Sequence, residues 1–343
     1  MVYIFVFFVT IICILSLRPF SYRFGLVDHP TLRKHHKGNI PLIGGVAMFI
    51  GITLGCFSSN LINVEENLVF FLIGSFILIL TGLADDISDI SSNKRFIFQI
   101  LVALVTVKFG EVVIEDFGYL VSNERLHLGI FSLIVSVFAI VGVINSMNFS
   151  DGIDGMSASL SLVTFISIAL FAYGFNENYA FKFSLLFIFA IIAFLIFNLG
   201  SFFGGRFKIF MGDAGSTFIG FGIAWSLISF SQGENLIFSP VVALWIFAIP
   251  LIDTIFVMIR RVSHGKSPFT PDRSHIHHFF ILYGFSDRQT LGIIFIMSIT
   301  MASIGISLEI NDFPERYMFI LFMSISFIYF FTLRHGWRLV NAK

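Results

Sequence analysis

The sequence predicts an all-α, polytopic integral membrane protein with about eleven transmembrane helices. Of its 343 residues, 57% are hydrophobic and only 12% are charged, whereas a typical soluble chain has about twice that charged fraction. The mean hydropathy is +0.92, and 47 Phe residues supply more apolar surface than one water-soluble core can bury. These values exclude an ordinary soluble domain.

Eleven segments of the chain approach the length and composition of a spanning helix, which needs about 20 mostly apolar residues. They are 2–17, 41–59, 67–84, 96–109, 128–147, 156–174, 180–199, 213–231, 236–258, 290–308 and 317–333. The fourth segment is short and could be partly re-entrant. The first has no basic residue before it and no small-residue cleavage site, so we expect a spanning helix rather than a removed signal peptide.

The positive charges predict the orientation, because Lys and Arg accumulate in cytoplasmic loops. Eleven spans place the two termini on opposite sides of the membrane. Of the 21 Lys and Arg residues, 17 fall in the alternate segments that include the C-terminus and 4 fall in the others. We therefore expect an extracytoplasmic N-terminus and a cytoplasmic C-terminus.

Five unusual polar segments fall on the predicted cytoplasmic face. They are DHPTLRKHHKGNIPLIGG at 28–45, ADDISDISSNKR at 84–95, NSMNFSDGIDG at 145–155, the segment around FKIFMGDAGS at 204–216, and RRVSHGKSPFTPDRSHIHHFF at 260–280. Polar side chains beside hydrocarbon are costly and commonly functional. We therefore expect one transferase domain, 1–343, with an active site built from these segments.

Three acids end the third predicted span. Asp85 and Asp89 share a helix face if the helix continues, and Asp86 adjoins Asp85. Neighbouring carboxylates repel each other unless a cation is close or one is protonated, so they predict a bound divalent cation or a general base. The alternative is a solvated acidic helix end that is balanced by Lys94 and Arg95.

The NSMNFSDGIDG segment combines two amides, two acids and two glycines. Asn145, Asn148, Asp151 and Asp154 offer hard oxygen ligands of the kind that suit Mg²⁺ or Mn²⁺. The alternative is helix capping, since Ser150 or Asp151 could cap the sixth span. Capping would account for one acid, but not for both acids and both asparagines.

Asp213, in FMGDAGS, opens the eighth predicted span. A helix N-terminus with small residues favours an anion or phosphate, and a carboxylate there would be either a cap or a metal ligand facing a pyrophosphate. The GK[ST] ending of a Walker loop is absent.

The last polar segment contains Arg273, His275, His277 and His278. The HxHH pattern raises the possibility of zinc, but it lacks a Cys partner and the usual spacing of zinc ligands. Basic side chains in a phosphate site contact anionic oxygens, and we favour that interpretation. His35 and His36, beside three basic residues, fit either a lipid-headgroup patch or an anionic-substrate site.

Together these features predict phosphoryl transfer at the membrane surface. Acids and amides indicate a divalent ion, basic flanks indicate a polyanionic substrate, and the bilayer indicates a lipid co-substrate. Catalysis of this kind depends mostly on positioning and electrostatics.

Four motifs, LADDISD, NSMNFSDGIDG, FMGDAGS and SPFTPDRSHIHH, resemble those of the polyprenyl-phosphate N-acetylhexosamine-1-phosphate transferase superfamily. The likeness extends from about residue 20 to 300. It implies eleven spans, a cytoplasmic active site and a Mg²⁺ or Mn²⁺ cofactor. It also implies transfer of GlcNAc-1-phosphate from UDP-GlcNAc to undecaprenyl phosphate, in an early step of a surface polysaccharide such as O-antigen, at the bacterial inner membrane.

The resemblance also implies roles for individual residues. Asp213 matches the main metal carboxylate and Asn148 a possible second ligand. Asp85 and Asp86 match a catalytic acidic pair that includes a candidate base, and Asp151 and Asp154 match catalytic acids that organise the nucleotide or the metal. The remaining matches concern substrate binding, with Lys94 or Arg95 on the pyrophosphate and a sugar-recognising loop; they are Lys94, Arg95, Asn145, Arg273, His275, His277 and His278.

Two other functions remain open at this level. A related transferase could use another UDP-N-acetylhexosamine. A transporter would also combine many spans with polar residues, although carriers place these near the bilayer midplane. We expect UDP-GlcNAc, undecaprenyl phosphate and the bilayer as partners, no nucleic acid, and allow for a homo-oligomer.

Overall fold

The fold is almost entirely helical in the computed structural model, which describes residues 1–30, 38–63, 67–121, 123–175, 177–200, 205, 207–233, 236–267 and 274–341. Within these ranges there are thirteen α-helices and one two-stranded sheet. The helices are α1 (Val2–Phe24), α2 (Gly44–Ser58), α3 (Leu68–Ser88), α4 (Ser92–Phe109), α5 (Ser132–Ser150), α6 (Met156–Gly174), α7 (Asn178–Asn198), α8 (Gly212–Ser229), α9 (Pro240–Ile246), α10 (Ala248–Ser263), α11 (Ile276–Leu282), α12 (Asp287–Ile310) and α13 (Glu315–Asn341).

Each of the eleven predicted spans coincides with a helix or a bent pair of helices. Seven of the helices in the described residues are long and apolar enough to cross a membrane, and the pair α9 and α10 would be an eighth. The other three are α2, which has only 15 residues, α4 and α8. The helical, membrane-spanning fold class is therefore confirmed. Seven or eight of the eleven predicted crossings are supported by helix length and composition.

The ninth predicted span, 236–258, is not one straight helix. It divides into α9 and α10, which are bent by 83°. The break lies at Phe247, whose backbone is not helical, just before Pro250 within α10. A proline within a helix removes a backbone donor and favours such a break.

Helix α8 is the centre of the bundle and is buried along almost all of its length. Small residues let its neighbours approach closely, as is usual in membrane bundles. A Cβ added to Gly82 of α3 would lie 2.3 Å from the Cα of Ala214, and one added to Gly45 of α2 would lie 2.2 Å from the Cα of Gly215. Because these contacts are to backbone, the position of α8 is fixed at its N-terminal end.

A short hairpin fixes the approach to α8. Strand β1 (Val27–Asp28) pairs antiparallel with β2 (Ile40–Pro41). The Phe210 N–H donates to the Pro41 carbonyl at 2.8 Å, and the Gly45 N–H donates to the Met211 carbonyl at 3.0 Å. These bonds tie the first polar segment to the residues that lead into Asp213.

Candidate active site

Three helices bring charged residues of the second and fourth polar segments together. Asp85 at the end of α3 is 6% exposed, and its Oδ2 accepts from Nη1 of Arg95 on α4 at 2.6 Å. The same nitrogen lies 3.4 Å from Oδ2 of Asp213 on α8. Arg95 therefore bridges two of the predicted carboxylates and offsets part of their mutual repulsion.

Asp86 has a different role from Asp85, because it caps helix α8. Its Oδ1 accepts from the Asp213 N–H at 2.9 Å, and its Oδ2 accepts from the Ala214 N–H at 3.4 Å. These are backbone donors of the first helical turn, which a capping side chain normally satisfies. A carboxylate from α3 thus takes two of the backbone donors at the start of α8, where the sequence predicts a site for an anion or phosphate.

Asn148 orients Asp213. Its Nδ2 donates to Asp213 Oδ1 at 2.6 Å and to the Ser216 hydroxyl at 2.9 Å. Its amide oxygen is then directed away from these partners. The side chain of Asp213 is 36% exposed, so the carboxylate is both held and accessible.

Asn145 does not join this cluster in the described contacts. Its Nδ2 donates to Gln99 Oε1 of α4 at 2.7 Å and to the Val141 carbonyl at 2.8 Å. It lies three residues before Asn148, less than one helical turn away. The structure therefore places Asn145 next to the cluster along α5, with its amide bonded to α4 and to its own helix.

The turn after α5 carries the other two predicted acids. Asp154 forms an ion pair with Lys208 at 2.5 Å, and the Gly155 N–H donates to Asn198 Oδ1 at 2.6 Å. Desolvation of the Asp151 carboxyl raises its pKa to about 7, and the charges of Asp213 and Asp154 act in the same direction, although the residue as a whole is exposed. Neither acid caps α6, whose N-cap is Gly155, so the capping alternative is wrong.

The histidine motif packs against this turn. His275 Nδ1 donates to Asp253 Oδ2 at 2.7 Å, and both residues are buried. A Cβ on Gly152 would lie only 2.1 Å from His277 Nε2. Burial lowers the pKa of His277 well below its usual range, with smaller contributions from His278 and His275. His277 is therefore neutral at pH 7 and in contact with the DGIDG backbone.

Replacement of Gly152 by Ala is expected to reduce turnover about a hundredfold. The new methyl group has to displace His277, and a shift of about 1 Å at a reacting site can cost that much. Initial rates on membranes with equal amounts of protein would test this. Gly174→Ala is the matched control, because a Cβ there meets nothing within 4 Å; equal rates for the two variants would contradict the contact.

The remaining predicted residues do not join the cluster around Asp213 in the described contacts. Lys94 is exposed and Asp89 is an exposed C-cap of α3 with a positive φ of 46°, so Asp89 does not share the face of Asp85 as a continued helix would require. Arg273, His35 and His36 lie outside the described residues. Within the described ranges no three His, Cys, Asp or Glu side chains form a ready-made metal site.

Comparison with known proteins identifies the family of the chain. Residues 68–231 match the model of glycosyl transferase family 4. The chain is 37% identical over 338 residues to the undecaprenyl-phosphate alpha-N-acetylglucosaminyl 1-phosphate transferase of Escherichia coli (strain K12), an alignment that covers 98% of this chain and 91% of that protein. The chain belongs to glycosyl transferase family 4.

Other members of glycosyl transferase family 4 are similar over the same extent. The enzymes of the same name from Salmonella typhi and Haemophilus influenzae (strain Rd) are 38% and 39% identical, over 98% and 96% of this chain and 91% and 92% of their own lengths. These findings confirm the resemblance that the motifs predict. They also agree with a multi-pass membrane protein.

Glycosyl transferase family 4 uses divalent cations, and the donors in this chain fit one. The cluster offers carboxylate and amide oxygens, which hard cations prefer. Asp213 is oriented by Asn148 and remains partly exposed. Mg²⁺ is commonly bound through one or two carboxylates together with substrate phosphates, so a single accessible carboxylate is sufficient.

The structure adds four residues to the candidate site that the motifs did not single out. Ser216 and Lys208 contact predicted site residues directly, and Asn198 and Asp253 hold the turn and the histidine motif. Asp253 had a usable signal, since an ionisable residue inside an apolar run is by default functional. The other three have none in a single sequence.

Proposed function

We propose that the protein transfers GlcNAc-1-phosphate from UDP-GlcNAc to undecaprenyl phosphate, which gives undecaprenyl-pyrophosphoryl-GlcNAc and UMP. The reaction would start a lipid-linked surface polysaccharide such as O-antigen. The observation that carries this proposal is the convergence of Asp85, Arg95, Asn148 and Asp213 from four helices at one end of an apolar bundle. Relatives 37–39% identical over nearly the full chain carry the name of this reaction.

A large apolar cavity supports a polyprenyl co-substrate. Its volume is about 770 Å³, and it lies between α4, α5 and α10. Apolar side chains such as Phe96, Val137 and Leu251 line it, and Asn145 and Ser146 are among its polar lining residues. Since Asn148 follows within one helical turn, the cavity can hold prenyl units while the lipid phosphate reaches Asp213.

Replacement of Gly142 by Leu is expected to raise the KM for undecaprenyl phosphate about tenfold. Gly142 lines the cavity, and a Cβ there meets nothing within 4 Å, so Leu fits the fold but occupies space needed by the lipid. Steady-state kinetics should show an unchanged KM for UDP-GlcNAc. Gly292→Leu, at an equally open position on α12, is the control; similar kinetics in both variants would argue against lipid in this cavity.

A divalent cation, Mg²⁺ or Mn²⁺, would be held by Asp213, with Asn148 as a possible second ligand. When bound, it would neutralise negative charge on the pyrophosphate. Two other side chains position the Asp213 carboxylate. Asn148 keeps the Asp213 carboxylate in one orientation, and Asp86 keeps the start of α8, and so Asp213 itself, next to α3.

The chemistry is a displacement at the β-phosphorus of UDP-GlcNAc. An oxygen of the lipid phosphate forms a bond to this phosphorus, and the bond between the β-phosphorus and the bridging oxygen breaks, so that UMP leaves with that oxygen. Asp85 is the candidate base for the lipid phosphate. Arg95, between Asp85 and Asp213, can donate to the transferred phosphoryl group. Sequence and geometry are also compatible with a two-step route through an aspartyl-phosphate.

The same proposal includes the topology. Eleven crossings, an extracytoplasmic N-terminus and a cytoplasmic active site follow from the distribution of Lys and Arg, and bacterial relatives support the inner membrane as the location. The short helix α2 and the buried helix α8 would then cross the membrane inside the protein, where lipid-facing hydropathy is not required.

The decisive experiment uses UDP-GlcNAc labelled separately in the sugar and in the uridine. Membranes that contain the protein are incubated with undecaprenyl phosphate and Mg²⁺. Labelled lipid together with UMP is the expected result. Labelled lipid together with UDP would mean simple glycosyl transfer and would overturn the proposal.

A second UDP-N-acetylhexosamine is the principal competitor for the substrate. Competition by unlabelled UDP-sugars in the same assay separates it from UDP-GlcNAc. The transporter alternative is disfavoured, because the polar residues converge at helix ends rather than at mid-span positions and because the named relatives are transferases.

A further inference from the structure

The histidine motif is held by a buried hydrogen-bond network. Two of its members, Asp253 and Tyr329, lie outside the four motifs. Asp253 of α10 is 3% exposed and lies within the apolar run IPLIDT. Its Oδ2 accepts from His275 Nδ1 at 2.7 Å. Its Oδ1 accepts from the Ile276 N–H at 3.0 Å and from the Tyr329 hydroxyl of α13 at 2.9 Å. One carboxylate thus joins the motif to two helices.

The direction of these bonds fixes the tautomer of His275. An ionised carboxylate can only accept, so Nδ1 of His275 must carry the proton. In the neutral ring this leaves a lone pair on Nε2, at the edge of the ring opposite Asp253. The partner of one ring nitrogen commonly sets the state of the other in this way.

Unsatisfied atoms indicate where a ligand binds. Within the described residues, Nε2 of His275 and both ring nitrogens of His277 are buried without a hydrogen-bond partner. Such atoms are rare in folded proteins and destabilising. The two rings are nearly parallel at 6.0 Å, and Phe149, next to Asn148, lies 5.5 Å from His275. The His275 ring therefore packs against the residue that follows Asn148 in the chain.

We propose that Asp253 and Tyr329 are positioning residues that present the Nε2 lone pair of His275 to an N–H or O–H donor on the sugar nucleotide. This proposal rests on the proposed function and deepens it. His275 then accepts a hydrogen bond from the sugar portion, and differs from the basic residues that contact phosphate. The hydroxyl of Tyr329 holds Asp253 in the geometry that makes this possible.

The tautomer is tested directly by nitrogen NMR of the full chain, with ¹⁵N-labelled imidazoles, in lipid bilayers. The spectrum of His275→Gln assigns the His275 signals by their loss. The expected wild-type signals are a protonated Nδ1 and a bare Nε2. Asp253→Asn should produce a mixture of tautomers, because an amide can donate as well as accept. A protonated Nε2 in the wild type, or an unchanged tautomer in Asp253→Asn, would overturn the proposal.

The kinetic test asks whether Asp253 acts through His275. Asp253→Asn is expected to lower kcat/KM for UDP-GlcNAc about 10–100-fold, which is the size of loss seen when the carboxylate partner of a metal-bound histidine is removed. The KM for undecaprenyl phosphate should not change. In the His275→Gln background the same substitution should cost less than about twofold, because residues that act as a unit are not additive. Tyr329→Phe should cost roughly fivefold, as expected for one hydrogen bond.

A matched control exists elsewhere in the chain. Asp116 is also 3% exposed and pairs with Arg125 at 3.1 Å, but it belongs to the loop between α4 and α5 at the opposite end of these helices. Asp116→Asn should lower thermal stability without changing kcat/KM, and its effects should add to those of His275→Gln. Equal kinetic losses for Asp116→Asn and Asp253→Asn, or full additivity of Asp253→Asn with His275→Gln, would show a merely structural role.

The two proposals fail in different ways. If the wild-type protein forms no labelled lipid from any UDP-sugar, the proposed function is wrong. The NMR experiment still decides the state of His275 in that case, because it requires no turnover.

Discussion

Substitution of Asp213 by Asn is expected to lower turnover by about a thousandfold or more. The amide has the same size as the carboxylate but has no charge, so it cannot hold a divalent cation against the substrate phosphates. Loss of one preorganised electrostatic group in an active site typically costs on the order of 10²–10³ in rate. Radiochemical transfer measured with equal amounts of membrane protein would detect this loss.

The fold should survive the change, because Asp213 is partly exposed and the α8 cap is made by Asp86 through a backbone donor. Asp89→Asn removes one carboxylate from the same region and is the control. Asn tolerates the positive φ of 46° at this position, so near wild-type activity is expected. Near-normal turnover in Asp213→Asn would remove Asp213 from the proposed metal site.

Substitution of Gly82 by Ala is expected to affect both stability and activity strongly. The added Cβ would lie 2.3 Å from the Ala214 Cα and 2.4 Å from the Ala214 nitrogen. Because backbone cannot rotate away as a side chain can, α3 and α8 must separate. Overpacking of this kind costs about 1–3 kcal/mol. It would also move Asp85 and Asp86 relative to Asp213, and we expect a loss of turnover of about a hundredfold.

Thermal unfolding in detergent, together with transfer assays, measures the two effects of Gly82→Ala separately. Gly292→Ala places the same methyl group in a helix where nothing lies within 4 Å, and it should be neutral or slightly stabilising, because Gly is a poor helix former. A Gly82→Ala enzyme that is as stable and as active as Gly292→Ala would show that α3 and α8 do not need this close contact.

The helices could be predicted well because apolar runs determine them directly. Two details could not. The 83° bend between α9 and α10 occurs in an unbroken apolar run, where Pro250 is the only local signal. Helix α1 continues past the predicted end at residue 17 to Phe24, through Pro19. The apolar run ends near residue 17, but the helical backbone extends beyond it into polar residues.

The motifs predict that Asp85 and Asp86 lie near Asp213, but not which partner each of these adjacent acids meets. Asp85 and Asp86 are identical in type and neighbours in the chain, yet successive residues of a helix point about 100° apart. One therefore meets Arg95 and the other caps α8. Which of the two faces α8 depends on helix packing, and no local pattern records that packing.

Partners that are distant in the chain were also beyond prediction. Asp253 lies on α10, His275 directly before α11, and Tyr329 on α13. Nothing in the sequence around any one of them indicates the other two as partners. The aspartate in an apolar run required a buried partner, but the chain offers nine His and 21 Lys and Arg residues. Only the packed bundle shows that His275 and Tyr329 meet it.

The cap on α8 has a consequence for how the protein is made. The capping carboxylate precedes the amide that it binds by 127 residues, so at a translation rate of about 5–20 residues per second the two are synthesised at least about six seconds apart. Throughout that interval Asp86 lacks its partners on α8, whereas Arg95, the partner of Asp85, follows after only ten residues. The cluster of Asp85, Asp86 and Asp213 is thus complete only after the start of α8 has been synthesised.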